Sequence, residues 1–146
     1  MIDRDKGYKN FLKYMKQAGQ SADIGIFENK KGADGESIAE YASANEFGKG
    51  MPERSFMRST HDEHQDKILK NISKQIQSDM INGKNFSALL AKHGEYLRNE
   101  IIKKIRNAKS WAEGLSDKTK AAKGNDTILI ESGNMWKAID VRIRRT

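Results

Sequence analysis

The chain contains one proline, Pro52, and it stands in the stretch that most limits the fold, SIAEYASANEFGKGMPERSFMR from Ser37 to Arg58. Ser37 followed three residues later by Glu40 is a capping box, in which hydroxyl and carboxylate satisfy amides at a helix start. The spacing predicts a helix from Ile38 to about Phe47, with Ile38, Tyr41, Ala42 and Asn45 on one stripe. Alanines at 39, 42 and 44 let that helix approach a neighbour closely. Gly48 and Gly50 end it, and Pro52, which has no amide donor and fixes its own φ, turns Met51 to Arg54 out of helical geometry. The result is a rigid elbow followed by the tongue Ser55-Phe56-Met57-Arg58. Two readings of the tongue stay open. Phe56 and Met57 close over the edge of their own core, as apolar residues usually do, or the tongue docks on a neighbouring subunit.

On the amino-terminal side, Tyr8, Phe11, Leu12 and Met15 recur at helical spacing and predict a short amphipathic helix ending near Ala18-Gly19. Ile24 and Ile26 alternate with Asp23 and Gly25, so a half-buried strand is expected, with Phe27 on its other face. The segment 29–36, NKKGADGE, is expected as an exposed polar loop. Beyond the elbow, Ser59 or Thr60 caps a long helix with Asp62 and Glu63 near its positive end. Its stripe is Ile68, Ile72, Ile76 and Met80, joined by Leu69 and Ile81, and Asn82-Gly83 stops it. A second long helix runs from Phe86 or Ser87 to about Ala108, with Leu89, Leu90, Leu97, Ile101 and Ile105 in phase and His93 among them. The short Asn-Gly connection between the two predicts an antiparallel pair, with a bent continuation of one helix as the alternative. Residues 111–124 are expected as a second exposed loop. Ile128, Leu129 and Ile130 form a short apolar run, Ser132-Gly133-Asn134 turns the chain, and Ile139, Val141 and Ile143 alternate with charged residues as a strand expected to pair with Ile24 and Ile26. A chain of 146 residues suits one domain, burying roughly two-thirds of its unfolded surface. The expected class is α+β: a small antiparallel or mixed sheet packed against two long helices plus short ones.

Several functions are disfavoured by what the residues lack. Without cysteine there is neither a disulfide framework nor a thiolate nucleophile or ligand. The amino terminus is too charged for a secretory leader, and no run approaches the ~20 apolar residues of a membrane helix; a soluble, cytoplasmic chain with no membrane partner is expected. His61 and His64 lack the i, i+4 spacing of a zincin helix, so a solvated helix start is expected there and no metal or other cofactor. Glycines 32, 35, 48 and 50 fit no phosphate-loop frame. The formal net charge of +7 predicts attraction to nucleic acid or an acidic partner. Lys103, Lys104, Arg106 and Lys109 suit a helix carboxyl end, while Lys118, Lys120, Lys123, Arg142 and Arg144 are the cations expected to face a lumen or DNA. Trp111 and Trp136 are the only aromatics near them that could stack on bases. A nonspecific nucleic-acid-binding accessory protein is the rival reading that this charge supports, and a metal-dependent hydrolase built on His61 and His64 is a third.

The string IAEYASANEFGKGMPERSFMR resembles the signature of tailed-phage virion morphogenesis proteins, the neck, tail-completion and tail-terminator group. Glu46-Phe47-Gly48 and Met51 through Phe56 carry the likeness. Downstream, Gly114-Leu115-Ser116, Thr119 and Lys123-Gly124 resemble the family's proline-leucine-serine, threonine, lysine-glycine loop, with Gly114 in place of proline. Ile130-Glu131-Ser132-Gly133, with Met135 and Ile139, resembles its turn into a final strand, with Glu131-Ser132 in place of aspartate-threonine. The resemblance implies a structural virion subunit without enzymatic activity, assembled in the host cytoplasm. It implies a homo-oligomeric ring, hexameric or dodecameric, partnered by tail-tube and head-tail connector proteins, with DNA passing only in transit. The expected contact residues are Glu46, Phe47, Met51, Pro52, Arg54, Phe56 and Arg58, with Arg54 and Phe56 as the intersubunit anchor.

Overall fold

The two alternating segments near the ends of the chain pair with each other. Strand β1, Gln20–Ile26, runs antiparallel to β2, Ile139–Arg145, in a register that sets Ile24 opposite Val141 and Ile26 opposite Ile139. This is a computed structural model, and it describes residues 4–32, 35–124, 128–129 and 134–145. Ile130 and the turn expected at 132–133 lie outside the described residues.

Among the described residues, six α-helices accompany the ladder: α1 (Arg4–Met15), α2 (Ile38–Phe47), α3 (Met57–Asn82), α4 (Phe86–Arg106), α5 (Asp117–Lys123) and α6 (Asn134–Ala138). The class is α+β, with the two long helices packed against the sheet as an antiparallel hairpin. Helix α4 lies directly on both strands and α3 lies along α4, while α2 and α6 close the β1 side. The hairpin's direction is fixed by side-chain pairs that descend one helix as they climb the other: Lys104 with Glu63, Tyr96 with His64, and Lys92 with Gln75.

The middle position of α4 explains its composition. Leu89, Leu97, Ile101 and Ile105 are buried, and each such side chain contributes about 1.5–3 kcal/mol by leaving water. Gly94 is buried in the same face because a Cβ there would stand 2.6 Å from Val141 Cγ1; its absence lets β2 settle on the helix. Helix α3, on the outer layer, has only Thr60 and Asp79 buried. The Ile68 to Met80 stripe is half-buried on α4, but Leu69 and Ile81, expected to join it, are 60% and 66% exposed. They fall on the part of α3 that its two neighbours, α4 and α1, leave uncovered.

Two expected loops are more ordered than their composition indicates. Residues 33–34 of the 29–36 segment lie outside the described residues, and its described parts are tied by the Lys31–Ser37 bridge and by the Gly32 amide donating to the Glu36 carbonyl at 2.9 Å. Within 111–124, residues from Asp117 onward form α5, capped by Ser116, whose hydroxyl accepts from the Thr119 amide, and ended by Gly124 at φ +68°. The signal was present in Ser116-Asp-Lys-Thr119, a serine N-cap followed by an acidic first turn. Trp111 is half-buried against the core and donates its indole N–H to the Lys104 carbonyl at 2.8 Å. Among the described residues, no helix is long and apolar enough to cross a membrane.

Candidate functional site

The elbow from Ser37 to Arg58 is built as a closed hydrogen-bonded bracket. Its start follows the capping box: the Ser37 hydroxyl accepts from the Glu40 amide at 3.3 Å. Its turn depends on Gly48, at φ +68°, where a Cβ would meet Glu53 backbone and side-chain atoms at 3.1–3.2 Å. A side chain at that position would be strained and would hold the returning chain off the helix.

The bracket closes on Glu46. Its Oε2 accepts from the amides of Phe56 at 2.8 Å and Met57 at 3.0 Å, and its Oε1 from the Arg58 amide and the Ser55 hydroxyl, both at 2.9 Å. A residue in the last turn of α2 thus caps the first turn of α3, which has no capping side chain of its own. Ser59 and Thr60, expected as caps, lie inside α3 instead and donate back to the carbonyls of Ser55 and Phe56. A carboxylate at the positive end of a helix also gains from the dipole. Arg58 bolts the outside: Nε reaches Glu46 Oε1 at 3.1 Å, and Nη2 donates to the Glu46 carbonyl and to Glu53, both at 2.7 Å. The hydrogen bond with Glu53 is the chief reason its pKa lies above the ordinary arginine value.

Arg54 and Phe56 point inward, and this corrects their expected place at an intersubunit anchor. Arg54 is 5% exposed, donating from Nε to the Glu113 carbonyl at 3.2 Å and from Nη1 to Asn45 Oδ1 at 3.3 Å. Phe56 is fully buried in the core cluster with Ala42, Ile101 and Ile105. Glu46, equally buried, is likewise engaged within its own chain. Of the expected contact residues, Phe47 is 55% exposed under the Arg58 guanidinium, Pro52 and Arg58 are exposed, and Met51 is half-buried. Asn45 and the Glu113 carbonyl, which hold Arg54, were invisible in the sequence, being partners from 9 and 59 residues away.

The expected lumen cations sit on two elements. Lys118 and Lys120 are exposed on α5, and the Lys123 side chain lies outside what is described. On β2, Arg142 covers the Phe27 ring at 3.6 Å and reaches Asn29, while Arg144 pairs with Asp23. The two arginines serve the sheet before any ligand.

Histidines occupy structural positions. His61 is exposed beside Asp62, and His64 joins Tyr96, Lys67 and Glu100 in a polar seam across the hairpin. Glu100 is held below its ordinary pKa chiefly by the Lys103 hydrogen bond, and Lys67 above its own chiefly by Tyr96. Among the described residues, no three His, Asp or Glu side chains are placed to hold a metal ion. His93 lines an open groove of about 360 Å³ with Lys74, Lys92 and Tyr96, its Nε2 enclosed without a hydrogen-bond partner among the described residues. Burial, and after it the charge of Lys92, hold its pKa below the ordinary 6.5. The unfolded chain therefore protonates first, so the stability owed to neutral His93 is complete above about pH 6.5 and is lost as the pH falls through the folded value. Melting temperatures measured between pH 7.5 and 5 are expected to fall, and His93→Leu to flatten that part of the decline; an unchanged slope would exclude His93 as its source. No family model matches the chain, and no curated protein or solved structure matches it.

Proposed function

We propose that this chain is a structural subunit of the neck or tail end of a tailed phage, acting by assembly into a ring rather than by catalysis. The observation that carries the reading is an incomplete sheet. Among the described residues it has two strands, so each keeps one edge of backbone donors and acceptors without a strand partner. Two strands are marginal on their own, and open edges are templates for pairing with another chain. The elbow motif supports the same reading through its resemblance to the morphogenesis family, and its bracket gives a rigid block suited to repeated packing.

In this reading the subunits close a homo-oligomeric ring, hexameric or dodecameric, that meets the tail tube or the head-tail connector in the virion and lets DNA through. The exposed lysines of α5 are the lumen candidates. Native mass spectrometry and electron microscopy of the purified chain are expected to show closed rings. A strictly monomeric chain that binds duplex DNA below micromolar, with affinity falling steeply in salt, would establish the nucleic-acid accessory reading instead.

A further inference from the structure

Helix α1 is docked by its polar side. Asn10 donates to the Ile81 carbonyl at 3.1 Å, Gln17, just past the helix end, accepts from the Phe86 amide at 2.9 Å, and Tyr14 is buried edge-on to Phe86. The apolar stripe faces out: Tyr8 is 63% exposed, Phe11 and Leu12 40%, and Met15 49%. Residues at i, i+3, i+4 and i+7 make the face that a helix ordinarily covers. An exposed patch of this kind, on the order of a few hundred Å², commonly marks an interaction site. Lys9 and Lys13 stand on the adjoining sector, both exposed.

A matching surface lies elsewhere on the molecule. A groove of about 280 Å³ between α2 and β1 is lined by Ile26, Ala39, Ala42, Phe47 and Met57, with Arg58 at its mouth. Two exposed carboxylates stand within a helical turn of its lining residues, Glu40 next to Ala39 on α2 and Asp62 one turn beyond Arg58 on α3, while the lining acid Glu46 is already engaged by Arg58. Helix α1 touches α3 at Ile81, and the groove touches α3 at Met57. At the rise of an α-helix those points are roughly 36 Å apart, so α1 cannot fill the groove of its own chain.

We infer that α1 of one copy seats its apolar stripe in the α2/β1 groove of the next copy, with Lys9 and Lys13 toward Glu40 and Asp62. Charge complementarity selects a second copy as the occupant. A chain of net charge +7 repels itself over most of its surface, and this contact brings two lysines toward two exposed carboxylates. The contact joins unlike surfaces, so it repeats head to tail and closes when the rotation allows. It rests on the ring reading and specifies a junction that does not use the sheet edges.

The test uses the full chain, by sedimentation over a concentration series and by native mass spectrometry. Phe11→Ser/Leu12→Ser changes exposed positions, so its circular dichroism should match the parent while its subunit dissociation constant rises about tenfold or more. Lys13→Glu and Glu40→Lys should each weaken assembly, and the double variant should restore it by exchanging the signs. Rings that persist unchanged in Phe11→Ser/Leu12→Ser overturn this junction and leave the ring reading standing. A parent chain that is monomeric at every concentration overturns both. Parent monomers that bind phosphatidylglycerol vesicles, and lose that binding in Phe11→Ser/Leu12→Ser, assign the stripe to a lipid surface and overturn the junction too.

Discussion

Replacing Phe56 by alanine should lower the unfolding free energy by about 4 kcal/mol, the usual cost of emptying a fully buried phenylalanine site. The side chain is 0% exposed, and the core around it includes Ala42, Leu97, Ile101 and Ile105. Collapse into the void is hindered because Phe56 is the N-cap residue of α3 and is tied by its amide to Glu46. Domains of this size have about 5–15 kcal/mol in total, so a large part of the margin goes. Phe56→Leu keeps most of the volume and should cost less than about 1.5 kcal/mol. Urea unfolding of both variants, followed by circular dichroism, decides the matter. A Phe56→Ala variant as stable as the parent but unable to assemble would favour the other of the two sequence readings, a tongue docked on a neighbouring subunit.

Glu46→Ala should cost about 3 kcal/mol, for a different reason. The substitution removes the acceptor for three backbone amides at the start of α3, one of them the buried Phe56 amide, and a buried donor left unmade costs about 1–3 kcal/mol. Glutamine is a poor rescue. Whichever way its amide turns, the nitrogen faces donors: either Phe56 and Met57 on one side, or Ser55 and Arg58 on the other. Aspartate is one methylene too short to reach the same amides from α2. Glu46→Gln and Glu46→Asp are therefore both expected to fall well below the parent in urea. A loss under about 1 kcal/mol for Glu46→Ala would mean that water caps α3 as well as the carboxylate does.

Phe56 and Glu46 both belong to the Ser37–Arg58 elbow, where local sequence signals give way to tertiary placement. The Ser37 cap, the end of α2 at Gly48 and the exit at Pro52 were legible because each is a local matter of φ, ψ and one nearby hydrogen bond. The destination of Glu46, Arg54 and Phe56 was not. Glutamate and arginine are seldom buried, so their presence beside an aromatic suggested an interface, whereas here each charge is neutralised or bonded by groups nine or more residues away. Leu69 and Ile81 misled in the opposite sense: periodicity gives a stripe, but the width of the stripe that is covered depends on how many neighbours the helix has.

Periodicity and capping chemistry by themselves determined the order of the main elements, the antiparallel helix hairpin and the pairing of the strand at Ile24 with the strand at Val141. Those follow from side-chain spacing and short-range backbone bonding, which act within a few residues. Tertiary structure alone decided which faces are inside. It put α4 between sheet and α3, sent Glu46 to cap a helix that its own sequence leaves uncapped, and turned the apolar stripe of α1 outward. The physical reason is that burial is a property of pairs of surfaces, and a sequence read one segment at a time shows only one member of each pair.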